Sequence, residues 1–509
     1  MDQNRLGRLT PAHRVLIVGA GPTGLGAAYR LKELGHRRVV VVDQHERVGG
    51  LARSFTDSAG FTWDIGGHVM FSHYDYYDRL FDKMLGDEHC LNDRESWVRM
   101  FDRWIPYPFQ NNIRYLPPEA AYECLQGLID AQVRHKGAHT PQSATNFGEF
   151  IDAVFGEGIA RHFMRPYNFK VWAYPPEVMN KQWIGERVAV IDVDRALRNV
   201  VLQQDDFGWG PNNRFKYPLR GGTGAFYDRI GEEVREFLSL GRQLVRVDTD
   251  ARIAYFADGS TEAYDVLISA MPVDVLCRDV LSGEVPQTIR DRAAGLRHSS
   301  GHMVGIGLKR PCPSTKSWMY FPEDNCPFYR VTYLSNYSPF MTPEPYATDA
   351  YGRRNGRYYS LLCETSESPA KPVDGSRIVE ETVRGLEHAG LLEPGERDDI
   401  VTTWHYRAEY SYPTPCVDRD GILADVIPWL ETRDIYSRGR FGLWKYEVAN
   451  TDHTLMQGVE LVNRLMLGER EHTIGIVYKV THDGREAAEH ERPPVAGSGE
   501  KRLAAAKSR

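Results

Sequence analysis

Arg187, Arg330 and Arg440 are the side chains in this sequence best suited to hold a diphosphate. A guanidinium fork matches phosphate oxygens in pairs and keeps its charge at any working pH. Tyr320, Tyr329, Tyr333, Tyr337, Tyr412 and Tyr446 add phenol donors. A single tyrosine more often fills a core than does chemistry. Their union with arginine in Asp324-Asn325-Cys326-Pro327-Phe328-Tyr329-Arg330 is what points to a ligand. Donors of this kind lower a barrier when negative charge develops on a leaving phosphate. The sequence offers no nucleophile–base triad, no metal cluster and no second dinucleotide fingerprint.

These groups need a scaffold, and its first element is Val15-Leu16-Ile17-Val18, a buried strand by composition. Gly19-x-Gly21-x-x-Gly24 follows at once, with Pro22 and Thr23 inside the turn, and Leu25, Ala28, Tyr29 and Leu31 then repeat at helical spacing. Gly19 allows the tight turn, Gly21 the approach of backbone to a pyrophosphate, and Gly24 the packing of helix on strand. The helix start offers unpaired N–H groups and partial positive charge to the phosphates. A second strand, Val39 to Val42, ends in Asp43, where a carboxylate receives the hydroxyls of an adenosine ribose. NAD and FAD share this device. Gly49, Gly50, Leu51 and Ala52 supply a second set of backbone donors near the same pyrophosphate, and Gly66-Gly67-His68 gives a turn flat enough to lie against a large ring. Both features favour FAD and set His68 beside its ring.

Composition bounds the rest. The chain has 509 residues, 42% of them apolar and 11% aromatic, as in a soluble globular protein of two or three domains. A net charge of −7 argues against a nucleic-acid or membrane-surface binder. No apolar run approaches roughly 20 residues, so no membrane span is expected. The seven cysteines are odd in number and never spaced C-x-x-C, which fits reduced thiols in the cytoplasm.

The expected fold is α/β: a Rossmann-like FAD-binding domain with a helical insertion and an antiparallel sheet domain. The nucleotide domain is discontinuous, covering 13–100, 216–295 and 416–470. Within it, Tyr74, Tyr76, Tyr77, Leu80 and Phe81 read as helix core. Residues 101–215 form the helical substrate domain, where Phe163 through Trp172 gathers rings beside basic and amide tips. Residues 296–415 form the antiparallel sheet, interrupted by a helix from Ile378 that Ser376 is placed to cap. Asn450 to Met466 is an amphipathic helix stopped by Gly468. It follows Arg438-Gly439-Arg440-Phe441-Gly442, a turn able to return to the flavin. Residues 482–509, poor in large apolar side chains, are expected to be a disordered tail.

Five strings carry a resemblance: Gly66-Gly67-His68-Val69-Met70-Phe71-Ser72-His73, Pro106 through Asn112, Phe163 through Trp172, Tyr320 through Arg330, and Arg438 through Asn450. From about residue 13 to 470 the chain resembles the eukaryotic-type UDP-galactopyranose mutases. The resemblance implies a flavin that must be reduced but is not consumed, primed by NADPH or NADH. Reduced FAD N5 then attacks the anomeric carbon with UDP as leaving group, interconverting UDP-galactopyranose and UDP-galactofuranose without net redox change. Arg187 and Arg330 match the arginines on the diphosphate, with Tyr320, Tyr337, Tyr412 and Tyr446. Tyr107, Gln110, Phe163, Tyr167, Asn168 and Trp172 match the uridine pocket, and Asn212 and Asn450 match sugar or flavin-edge contacts. His68 matches the histidine beside the isoalloxazine. Val247, Thr451 and Thr454 join the cofactor contacts, and Arg94, Ser96 and Arg440 match positions tied to NADPH. A nucleotide-sugar substrate is implied, with a homo-oligomer as a possible assembly.

Arg53 and Tyr174 depart from the pattern without removing a catalytic group. The competing reading is an FAD-dependent amine oxidase or desaturase, which shares the nucleotide domain but needs an apolar cage rather than paired arginines and tyrosines. A mutase for a related nucleotide sugar, or a silent flavoprotein that only binds one, completes the alternatives.

Overall fold

The computed structural model describes residues 9–207, 213–348 and 354–476, with the backbone of 478–480 and 485–487. The β-branched run Val15–Val18 forms the centre of a five-stranded parallel sheet. Its order is Ile435–Ser437, Val266–Ser269, Val15–Val18, Val39–Asp43 and Leu238–Leu240. All four residues of the central strand are buried, as a sheet covered on both faces requires. Helix Pro22–Glu33 connects the first two strands in sequence, so its N-terminus opens at the carboxyl end of the sheet. A smaller four-stranded sheet, Thr261–Ala263, Ile253–Phe256, Leu244–Asp248 and Leu281–Ser282, stands beside it.

The third sheet has seven strands in the order Ile400–Pro413, His298–Leu308, Tyr359–Glu367, Arg330–Tyr333, Trp318–Tyr320, Ser96–Met100 and Arg103–Pro106. It is antiparallel except where Ser96–Met100 runs parallel to Trp318–Tyr320. Two of its strands therefore come from well before residue 296. Against Val98, Met100 and Ile105 of this sheet, helices Pro118–Leu128, Phe147–Ile159 and Arg165–Trp172 share a core with Phe109, Met179, Trp183 and Ile184. Asn146 caps the second of these by accepting the Glu149 N–H at 2.9 Å. Helix Asp75–Leu85 buries Tyr77, Leu80 and Phe81, with Tyr74 and Tyr76 packed at the edge of that core.

Ser376 does not cap helix Ile378–His388. Its hydroxyl turns back to Asp374 Oδ1 at 2.6 Å, because the nearer carboxylate captures it, and Arg377 stands at the helix start. Of the 482–509 segment, only the backbone of Arg485–Ala487 is described, paired antiparallel with Tyr478–Val480. The rest lies outside the described residues.

Helix Thr451–Leu467 packs against Pro22–Glu33 with backbones nearly touching. A Cβ added to Gly458 would lie 2.1 Å from the Thr23 carbonyl oxygen, and Thr23 Oγ1 donates to the Thr454 carbonyl at 2.8 Å. The close crossing brings the N-termini of both helices to one place. Gly458→Ala should force them apart, costing about 1–3 kcal/mol as an overpacked core does. Urea unfolding is expected to show the loss, with lower flavin content in the purified protein.

Candidate active site

A cleft of about 1040 Å³ runs from the carboxyl end of the parallel sheet to the face of the seven-stranded sheet. At the sheet end it is lined by Gly19, Gly21, Pro22, Thr23, Asp43, Gly50, Leu51 and Ala52. Gly21 and Gly50 face each other so closely that a Cβ on Gly50 would lie 3.1 Å from the Gly21 Cα. Asp43 is held by the N–H groups of Ala20 and His45, each at 2.9 Å on a different carboxylate oxygen. Each oxygen keeps a lone pair for a ribose hydroxyl. Two helix N-termini, glycine backbone and this carboxylate are the donor and acceptor set that a flavin dinucleotide needs, so the residues present fit FAD.

Gly24 and Gly49 lie behind the lining. Val247 is fully buried in the core, whereas Val245 lines the cleft. An irregular register between Leu244 and Arg246 reverses the strand's alternation, which sequence parity does not reveal. Arg53, the departure noted in the sequence, also lines the cleft. Its Nε donates to the Gly50 carbonyl at 2.9 Å.

At the far end, Gly66, Gly67 and His68 meet Arg94, Tyr107, Arg187, Tyr320, Arg330, Tyr412, Arg440, Tyr446 and Asn450, while Thr451 and Thr454 line the cleft beside Thr23. Arg330 and Glu364 are directly opposed on neighbouring strands. Glu364 takes Arg330 Nε at 2.6 Å and Nη2 at 2.8 Å, the Tyr329 hydroxyl at 2.9 Å and the Gly67 N–H at 3.1 Å. Burial pulls both charges toward neutrality, and each partner holds the other ionised: the carboxyl is lowered and the guanidinium raised. Arg330 thus has its charge matched by Glu364 through Nε and Nη2. Glu364 was not among the expected residues. An acid in a strand whose residues Tyr359 to Ser366 are all buried is the signal that finds it.

Arg187 and Arg440 differ from Arg330. Arg187 donates from Nη1 to Asn450 Oδ1 at 2.9 Å and from Nη2 to the Glu447 carbonyl at 3.0 Å. Arg440 donates to the Ser411 carbonyl at 2.9 and 3.1 Å and to the Ala449 carbonyl at 3.0 Å. Among the described residues neither guanidinium pairs with a carboxylate. Burial lowers the Arg440 pKa and Arg187 adds to the effect, so an anion in the cleft would relieve both charges. Arg187 stands 4.5 Å over the Tyr446 ring and Arg440 5.0 Å over Tyr412. Burial pushes Tyr412 up to about 12, and it raises Tyr320 and Tyr329, so these phenols remain hydrogen-bond donors at neutral pH.

A ladder of rings, Phe109, Phe163, Tyr167, Tyr320 and Tyr107, leads from the helical core to the cleft wall at centroid spacings of 4.4, 5.1, 5.4 and 5.1 Å. Only its last two members line the cleft. Trp172 is buried against Tyr446 and Tyr412 at 4.7 and 5.6 Å. Gln110 donates to the Ala189 carbonyl, and Asn168 to the Met164 carbonyl at 2.7 Å. Tyr337 is enclosed by Phe215, Tyr217 and Trp318. Ser96 is buried, and its carbonyl accepts the Tyr107 N–H at 3.1 Å. These expected site residues therefore stand behind the wall. Asn212 lies outside the described residues.

His68 sits at the cleft wall with Nδ1 buried and without a hydrogen-bond partner. Burial, then Arg440 and Arg330 against the opposing Glu364, lower its pKa to about 4. The ring is neutral at pH 7. Between pH 6.5 and about 4 the unfolded chain holds this proton and the folded chain does not, so stability is lost as the pH drops through that window. His68→Ala should remove that part of the acid limb. If the ring also bonds the cofactor, turnover should drop about tenfold, the worth of one hydrogen bond of about 1.4 kcal/mol. Thermal midpoint, flavin content and turnover, measured together across pH, separate the two effects.

Beyond the turn, His73 Nδ1 lies 2.7 Å from Asp452 Oδ2, and Asp452 also takes the His73 N–H at 3.2 Å. With His453 these bring three metal-type ligand atoms within 4.8 Å, a grouping that spacing along the chain conceals. Here it ties the His68 segment to the first turn of helix Thr451–Leu467.

A profile of flavin containing amine oxidoreductases matches residues 22–441. The chain belongs to that family. Within this flavoprotein family it is 44% identical to a solved reduced UDP-galactopyranose mutase, covering 92% of this chain and 96% of that one at a TM-score of 0.85. That likeness places it with the mutase members. Putrescine oxidase shares the family fold at a TM-score of 0.61 and 16% identity, over 89% of this chain and 99% of that chain. The 15-cis-phytoene desaturase of Glycine max is 32% identical over 52% of this chain and 48% of its own length. The chain thus spans about half the length of the curated relatives it matches, including the 24% identical desaturase of Capsicum annuum. No helix among the described residues is long and apolar enough to cross a membrane.

Proposed function

We propose that this chain interconverts UDP-galactopyranose and UDP-galactofuranose in galactofuranose biosynthesis, in the cytoplasm, with FAD as cofactor and NADPH or NADH as its reductant. The reading rests chiefly on Arg187, Arg330 and Arg440 meeting on one cleft wall where phenols converge; among the described residues, Arg187 and Arg440 form no ion pair with a carboxylate. The segments 13–100, 216–295 and 416–470 form most of the cofactor unit, and 101–215 and 296–415 form the substrate side, whose sheet also takes strands Ser96–Met100 and Arg103–Pro106. Gly21, Gly50, Asp43, Thr451 and Thr454 hold FAD. In its reduced form FAD supplies a nucleophile toward the anomeric carbon and is restored at the end of the cycle.

Arg187 and Arg330 Nη1 bind the diphosphate, and Tyr320, Tyr412 and Tyr446 donate to it. Their fixed charges and dipoles stabilise negative charge as UDP leaves, and they keep UDP near for its return. Tyr107 and Tyr320 face the uracil ring, backed by Phe163 and Tyr167. Gln110, Asn168 and Trp172 shape that wall from behind rather than from its surface. Arg94 and Arg440 receive the phosphate of the reductant. Dithionite-reduced protein given UDP-galactofuranose should produce UDP-galactopyranose, and the oxidised protein should not. Equal conversion by both forms, or none by either, would contradict the proposal.

A further inference from the structure

Lys170 and Cys326 take no part in the chemistry proposed for the cleft. Lys170, on helix Arg165–Trp172, is 7% exposed, and Cys326, four residues before Arg330, is 5% exposed. Lys170 Nζ donates to the carbonyls of Glu323 at 2.6 Å and Cys326 at 2.9 Å, and lies 3.5 Å from Cys326 Sγ. Among the described residues no carboxylate forms an ion pair with it. An ammonium enclosed this way is costly, and burial lowers its pKa, so the neutral amine is more accessible than on a surface lysine. Burial raises the Cys326 thiol, and Lys170 draws it back toward the thiolate.

The separation of 3.5 Å is that of atoms held ready to react. We propose that Lys170 and Cys326 are a redox modification site, joined by a reversible Nζ–Sγ sulfenamide when the folded protein meets hydrogen peroxide. The thiolate first attacks peroxide, giving sulfenic acid and hydroxide, which leaves as water with the thiol's proton. The amine nitrogen then attacks sulfur, the S–O bond breaks, and the oxygen leaves as a second water carrying one nitrogen proton. The sulfur gives up two electrons and peroxide takes them, so one peroxide yields one cross-link and two waters. A thiol reductant returns both side chains. The link would fasten the helix bearing Tyr167 and Trp172 to the loop that leads into Tyr329 and Arg330, in place of the ammonium's hydrogen bonds.

The test is peptide mapping of the flavin-loaded full chain after peroxide treatment and thiol alkylation. A peptide pair joining Lys170 to Cys326, lighter than its parts by two hydrogens and released by dithiothreitol, is the expected result. The pair should be lost in Cys326→Ser and in Lys170→Arg, and absent from wild-type chain unfolded before oxidation. The last comparison stands even if a variant fails to fold. Recovery of Cys326 only as alkylated thiol, as sulfinic acid, or in a disulfide with nearby Cys363 would overturn the proposal.

Discussion

Arg330→Ala is expected to do two kinds of damage, where Arg187→Ala does one. Under the proposed function each variant removes a diphosphate donor from a desolvated wall, a loss of about 2–5 kcal/mol, or roughly thirtyfold to several thousandfold in UDP affinity. Among the described residues, Arg187 is held by the Asn450 amide oxygen, the Glu447 carbonyl and the Tyr446 ring and by no carboxylate, so its removal strands no charge. Its variant should keep the fold and its flavin. Arg330 cancels Glu364, which is 1% exposed and also holds the Gly67 N–H. Arg330→Ala leaves that carboxylate buried and unpaired, so its unfolding midpoint in urea should fall as well. Calorimetry with UDP beside urea unfolding checks both, and near-normal UDP binding by both variants would place the diphosphate elsewhere.

Glu364→Ala is the companion case, with the larger effect on stability. It leaves Arg330 buried without its counter-charge, a change that costs about 3–5 kcal/mol when one partner of a buried pair is removed. It also takes the acceptor from Tyr329 and from Gly67, so the turn that carries His68 loses its anchor. Lower denaturation midpoint and lower flavin occupancy are expected together. Glu364→Gln keeps one oxygen for Arg330 and should recover part of both. A Glu364→Ala variant with normal stability and normal flavin would show that the pair does not hold the turn.

Contiguity decides how much of this was legible in the sequence. Gly19 to Asp43 could be read because strand, turn, helix and acid follow one another in the chain, and the fold closes them into one nucleotide cradle. Arg187, Arg330, Arg440 and the tyrosines stood out by type, and the fold brings most of them to one wall. Glu364 was hidden because its meaning depends on cross-strand register with Arg330, which only pairing in space creates. The substitution of Val245 for Val247 at the cleft has a similar origin in a local irregularity of register. Gln110, Asn168 and Trp172 have the polar or aromatic character of ligand contacts, yet the Ala189 carbonyl, the Met164 carbonyl and neighbouring rings claim them. Residue type alone cannot separate those two uses.

The central claim is that the flavin must be reduced and that the reaction leaves it so. Its most direct test follows the flavin spectrum in a sealed anaerobic cell while dithionite-reduced protein converts UDP-galactofuranose. Many turnovers of UDP-galactopyranose with the spectrum still that of reduced flavin is the predicted result. Reoxidation of the flavin in step with product, or oxygen uptake that depends on substrate in air, would make this chain an oxidoreductase instead.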